Sequence, residues 1–122
     1  MSWKIDIEFK EENRFKQYEK KHHAEYVSCM ARFADVLMRF DEVNHPNLVG
    51  KGYFRSEGED VYRISQTRTQ NSKEVRLYIY VCMIDSKLYP ITIGDKTTQK
   101  DDIVRCHEVA RQIKARQQKG GK

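Results

Sequence analysis

Between residues 55 and 100 the chain repeatedly sets arginine, lysine and tyrosine into short apolar-alternating segments. Arg63 lies in Val61-Tyr62-Arg63-Ile64, and Arg76, Tyr78 and Tyr80 lie in Val75-Arg76-Leu77-Tyr78-Ile79-Tyr80. Lys96 and Lys100 fall in the polar run Gly94-Asp95-Lys96-Thr97-Thr98-Gln99-Lys100. Guanidinium and ammonium groups bind phosphate oxygens, and tyrosine rings stack on unpaired bases. A surface bearing both suits single-stranded RNA, and converging cations stabilise charge that builds on a reacting phosphate. The same residues also suit an ordinary sheet, with half-buried tyrosines and arginines paired to Glu57, Glu59 or Glu74. Pattern alone leaves the two readings open.

The elements that must carry these residues follow from hydrophobic period. Trp3, Ile5, Ile7 and Phe9 alternate with charged residues, which predicts a strand with one buried face. From Glu11 the period lengthens, giving a short polar helix to about Lys21. Tyr26, Met30, Phe33, Leu37 and Phe40 then form a broad stripe at helical spacing. That predicts a main packing helix over 23–42, bent or broken from the first near His22-His23. Pro46 ends it, because proline disfavours helical geometry in the preceding residue. Short strands are expected at 53–55 and 61–67, with a turn at 56–60 and a polar hairpin connection at 69–72. Residues 75–84 are apolar at nearly every position and read as a central strand, with Val75, Leu77, Ile79, Val81 and Met83 on the core face. A last strand is expected at 88–93, with Pro90 where a neighbour is missing or the strand is bulged. Ile103, Cys106, Ala110 and Ile113 mark a final amphipathic helix, acidic in its first turn and basic in its last.

The order predicts an α+β fold, β-α-α-β-β-β-α, a twisted antiparallel sheet with helices on one face. Arg63, Arg76, Tyr78 and Tyr80 would occupy the other, open face. With 122 residues the chain forms one domain over 1–116, followed by a polar tail at 117–122 expected to be disordered. Charge is uneven along it. Residues 1–50 carry 8 Lys/Arg against 9 Asp/Glu, residues 51–100 carry 9 against 6, and residues 101–122 carry 6 against 3. The positive field thus belongs to the second half and points to a polyanionic partner. Nothing spans a membrane, and the charged N-terminus does not suit a secretory signal. Cys29, Cys82 and Cys106 read as buried thiols of a reducing cytosol. His22-His23 and Cys106-His107 lack the spacing of a zinc half-site, and the six glycines never cluster as a phosphate loop requires. Neither a metal nor a cofactor is expected.

The three segments quoted above, with Leu88-Tyr89 between the last two, resemble the second half of the RelE/HigB toxin superfamily. Phage-associated HigB-like members show the greatest similarity, and the preceding strand and helix pair match that family's start in order and length. The resemblance implies a toxin of a type II toxin–antitoxin pair, acting in the cytoplasm on mRNA held on the ribosome and silenced by a cognate antitoxin. It also implies chemistry in which the ribose 2′-hydroxyl attacks the adjacent phosphodiester without a metal. Carried onto this chain, Arg63 and Arg76 would clamp the phosphate and Lys96 would match one lysine of the family's lysine pair. Asp95 or Tyr78 would serve as general base, or a lysine made less basic by neighbouring cations, and Tyr80, Lys100, Arg55 and Lys73 would bind RNA. Three departures stand out: Asp95 precedes Lys96 where the family has adjacent lysines, Asp101 stands where it has proline, and no obvious catalytic tyrosine or histidine lies near the C-terminus. A non-enzymatic protein on the same scaffold, binding RNA or a host protein such as gyrase, is the alternative. An inactive remnant with a merely solvated basic face is a third.

Overall fold

A computed structural model describes residues 2–66 and 73–120. The elements run β1 (Lys4–Ile5), α1 (Glu12–Lys21), α2 (His23–Val43), a 3₁₀ turn (Pro46–Leu48), β2 (Phe54–Ser56), β3 (Val61–Ser65), β4 (Val75–Cys82), β5 (Lys87–Asp95) and α3 (Gln99–Gly120). The five strands form one sheet in the order β1-β5-β4-β3-β2, antiparallel except for the parallel β1–β5 pair.

The expected α+β class holds, and so does the break between the first two helices. His22 leaves helical geometry at φ −133°, ψ 56°, so α1 and α2 become separate rods. Asn44 closes α2 in the left-handed conformation, φ 56°, which asparagine tolerates better than most residues. β4 and β5 lie at the centre and form one long hairpin. Pro90 sits beside an irregularity in their pairing, where the partners jump from Tyr78–Thr92 to Ile79–Pro90 and leave Ile91 unpaired. A residue without an N–H fits such a bulge, as expected.

Helix placement departs from the reading of the sequence. α1 and α2 pack on one face, where Phe15, Tyr18, Phe33, Val36 and Phe40 meet Leu77, Ile79, Val81 and Ile93. α3 covers the opposite face, where Cys106, Val109, Ala110 and Ile113 meet Val61, Tyr78, Tyr80, Tyr89 and Ile91. The sheet is therefore a middle layer, and every residue of β4 is buried. That explains why this segment is apolar on both faces: alternation vanishes when neither side meets water. The open face bearing Tyr78 and Tyr80 does not exist, because those rings form the seat of α3.

Smaller differences have local causes. The first strand shrinks to two residues, since Trp3 turns to the α2 side while Phe9 packs with the α3 side, and Ile5 and Ile7 stay exposed. Trp3 is fixed by its own N–H donating to Asp41 at 2.6 Å and its indole N–H donating to Asn44 at 2.7 Å. β4 ends at Cys82, leaving Met83 42% exposed, outside the core position expected for it. α3 continues through Gly120, so residues 117–120 extend a helix rather than begin a disordered tail. Gln117 there donates to Cys82 Sγ and Asp85, both at 2.8 Å. The hairpin connection expected at 69–72 lies outside the described residues.

Candidate functional site

Pairing register assembles the site. Arg55 faces Arg63 across β2–β3, and Arg63 faces Tyr78 across β3–β4. Tyr78 in turn faces Thr92 on β5. Arg76 lies two residues before Tyr78 and so on the same side of the sheet, opposite Gly94. Arg55, Arg63, Arg76 and Tyr78 thus share the face that α3 covers, at the end nearest its first turns. Like charges directly opposite each other destabilise a sheet, so the Arg55–Arg63 pair is costly unless something anionic joins it.

Burial sharpens this point. Arg76 is only 8% exposed and Tyr78 fully buried. Yet Arg76 Nε and Nη1, Arg63 Nε and the Tyr78 hydroxyl find no hydrogen-bond partner. Buried donors are normally satisfied, so four unmatched ones on three adjacent side chains are exceptional. The arginines do have counter-charges. Arg63 Nε is 3.4 Å from Glu57, not aligned as a hydrogen bond, and Arg76 Nη2 is 3.3 Å from Glu74. These carboxylates offset part of the charge and leave the donors unmatched, a deficit that an oxyanion would fill.

Beside these side chains, Gly94 lets the first turn of α3 approach β5. A Cβ at Gly94 would collide with the side chains of Asp102 and Thr98. Asp102 is buried, accepting from Arg14 at 2.9 Å and from Thr98 at 2.7 Å. Burial raises the pKa of its carboxyl, while Thr98 and Arg14 pull it back. Arg14 also reaches Thr92 at 3.4 Å, linking α1 to the row that carries Tyr78.

The remaining expected site residues scatter. Asp95 pairs with Val75, on the α1–α2 face, away from Arg63 and Arg76. It anchors the β5–α3 turn, accepting from Thr97 Oγ1 at 2.6 Å, Thr97 N at 2.9 Å and the Tyr18 hydroxyl at 2.9 Å, with Lys73 at 3.4 Å. Burial alone would raise its pKa, but the bonds from Thr97, Tyr18 and Lys73 outweigh it and the value falls well below the usual carboxylate range. A carboxylate so held, on the wrong face, does not act as a base. Tyr78 fares no better, since burial pushes its phenol far above the ordinary tyrosine value despite the pull of Arg76. Tyr80 is 3% exposed beneath α3 and offers no face for a base to stack on. Lys73 is committed to Asp95. Lys96 and Lys100 are exposed around the turn into α3, and Arg55 is exposed with its Nε donating to Gly52 at 3.2 Å.

The structure pairs Arg63 with Glu57 and Arg76 with Glu74, as the alternative reading of the sequence had it, and it adds Asp102, Arg14 and His107. His107 Nε2 lies 2.7 Å from the Glu57 carbonyl, which ties α3 to the β2–β3 turn. Their signal in the sequence is slight, because each contact joins segments far apart in the chain. Among the described residues no group of histidine, cysteine and carboxylate side chains could hold a metal ion, and no helix is long and apolar enough to cross a membrane.

No protein-family model and no curated protein matches the chain. Among solved structures it is similar to the Escherichia coli toxin RelE, in a double arginine-to-alanine mutant in the free state. The superposition has a TM-score of 0.56 at 17% identity and covers 88% of this chain and 95% of that one. The fold of this protein is RelE-like.

Proposed function

We propose that this protein is a toxin of the RelE/HigB kind, with the HigB-like, phage-associated members as its nearest group by sequence motif. It cleaves mRNA on the ribosome, in the cytoplasm, and is held in check by an antitoxin protein. One observation carries the reading: Arg63, Arg76 and Tyr78 present buried donors that lack acceptors, side by side on one sheet face. A phosphodiester supplies the oxygens those donors need. As the 2′-hydroxyl attacks and the 5′-oxygen departs, negative charge grows on the non-bridging oxygens. Fixed guanidinium groups then bind the transition state more tightly than the ground state. The exposed cations Lys96, Lys100 and Arg55 draw in the RNA backbone by long-range attraction. The chemistry uses no cofactor.

The test is growth arrest on expression, relieved by the product of a neighbouring small gene, together with discrete mRNA cuts by purified protein on translating ribosomes. Arg63→Ala and Arg76→Ala are expected to abolish the cuts and Lys96→Ala to weaken them. Cuts at the parental rate in both arginine variants would remove the site. A second reading has its own support, because Asp95 lies on the opposite face of the sheet from Arg63 and Arg76 and Tyr78 is fully buried. On that reading the protein binds RNA or a host protein such as gyrase without cutting. Salt-dependent association with RNA in the absence of any cut would favour it.

A further inference from the structure

In-line cleavage needs a group to remove the 2′-hydroxyl proton as its oxygen attacks phosphorus. Two carboxylates approach the arginine pair. Glu74, 46% exposed at its side chain, hangs at the solvent end of β4 beside Arg76. Glu57, only 18% exposed, is ion-paired with Arg63 at 3.4 Å, and its charge is among those acting on the Tyr78 hydroxyl. That contact lacks the alignment of a hydrogen bond.

The backbone behind Glu57 is unusual. Gly58, Glu59 and Asp60 follow one another in the left-handed region, at φ 87°, 53° and 66°. Glycine adopts this readily and aspartate tolerates it, whereas Glu59 does so at a cost. Strain of this kind persists where the surroundings over-determine it, and it concentrates at functional sites. Here the surroundings are one flank of α3. His107 donates to the Glu57 carbonyl at 2.7 Å, Arg111 donates to Glu59 at 2.8 Å, and Lys114 lies 3.3 Å from Asp60. A helix that covers the sheet thus also fixes, from outside, the turn that carries Glu57. A carboxylate on a turn so held, ion-paired to one of the two arginines, is placed for proton transfer.

From this geometry, and resting on the ribonuclease reading above, we infer that Glu57 is the general base of the cleavage and His107 the residue that positions it. With the scissile phosphate on Arg63 and Arg76, the 2′-hydroxyl gives its proton to the Glu57 carboxylate while the 2′-oxygen bonds to phosphorus. The bond from phosphorus to the 5′-oxygen breaks, and that oxygen takes a proton from water. A 2′,3′-cyclic phosphate and a 5′-hydroxyl remain, and Glu57 returns its proton to solvent.

The experiment is single-turnover cleavage of mRNA on programmed ribosomes across pH, for the parent and for Glu57→Gln, Glu57→Asp and His107→Ala. Glu57→Gln is expected to cut about 100- to 10,000-fold more slowly at unchanged ribosome affinity and to lose the acid limb of the rate–pH profile. Glu57→Asp recovers part of the rate and keeps the limb, which guards against a glutamine variant that folds badly. His107→Ala slows cleavage less and also keeps the limb. Glu57→Gln cutting within about threefold of the parent overturns the inference and leaves the ribonuclease reading standing. Faster cutting or tighter RNA binding by Glu57→Gln overturns it too, since Glu57 would then be a counter-ion that the substrate displaces. A parent that makes no cuts refutes the ribonuclease reading, and the role of Glu57 falls with it.

Discussion

Replacing Arg76 by methionine should stabilise this protein while abolishing the mRNA cleavage proposed for it. The side chain is 8% exposed, and two of its nitrogens, Nε and Nη1, have no acceptor. Each unmatched buried donor costs about 1–3 kcal/mol relative to water. Against this stands one ion pair, from Nη2 to Glu74 at 3.3 Å, whose carboxylate partner is half-exposed. Such pairs contribute no more than about 1 kcal/mol. Methionine keeps the apolar stem and discards the guanidinium, so the balance favours the variant by about 1–5 kcal/mol. For a chain of this length that raises Tm by roughly 4–20 °C, measured by circular dichroism or calorimetry. Ribosome-dependent cutting, measured in parallel by primer extension, should vanish. A Tm that falls by several degrees would refute the reasoning, because Arg76 would then serve the fold and not an anionic ligand.

Other expected outcomes follow from the same contacts. Gly94→Ala drives a methyl group into the Asp102 and Thr98 side chains and should cost about 1–3 kcal/mol by urea denaturation, more if the Arg14–Asp102 pair breaks. Asp95 has a depressed pKa in the folded state, so its contribution is present above the unfolded value of about 3.9 and is lost as pH falls through the lower folded value. Asp95→Asn should therefore destabilise by about 1.5–3 kcal/mol at pH 7, with a gap from the parent that narrows below pH 3 in denaturation curves. Lys96 is exposed, and Lys96→Ala should lower the slope of log affinity for RNA against log salt by about one unit while leaving Tm unchanged.

Much of the architecture was legible because hydrophobic period reports which side of an element is buried. The stripe from Tyr26 to Phe40 gave α2 nearly to its ends, and the double-sided apolar run gave β4 as the central strand. Pro90 announced its bulge. The position of α3 was not legible: its apolar stripe says that it packs, not on which side of the sheet. Tyr78 and Tyr80 could be placed on a common face by counting in twos, yet whether that face meets water depends on a helix some twenty residues away. Glu57 was legible as a partner for an arginine, but its tie to His107, fifty residues on, was not, because no spacing rule connects them. Asp95 misled for the opposite reason, being beside Lys96 in the chain and facing the other side of the sheet.

Both borders of the sheet are short. β2 has three residues and β1 two, and beyond β1 the free side of β5 is occupied by Pro90, which has no N–H, and by Ile91, whose carbonyl accepts from Glu11 N at 2.9 Å. Little backbone along those borders remains for a visiting strand to join. A regulator of this molecule would have to recognise side chains and shape, through a helix or a loop laid over the basic end, instead of lengthening the sheet. Inhibitors built as extended peptides are a poor starting point, whereas compact anionic scaffolds match what the surface offers.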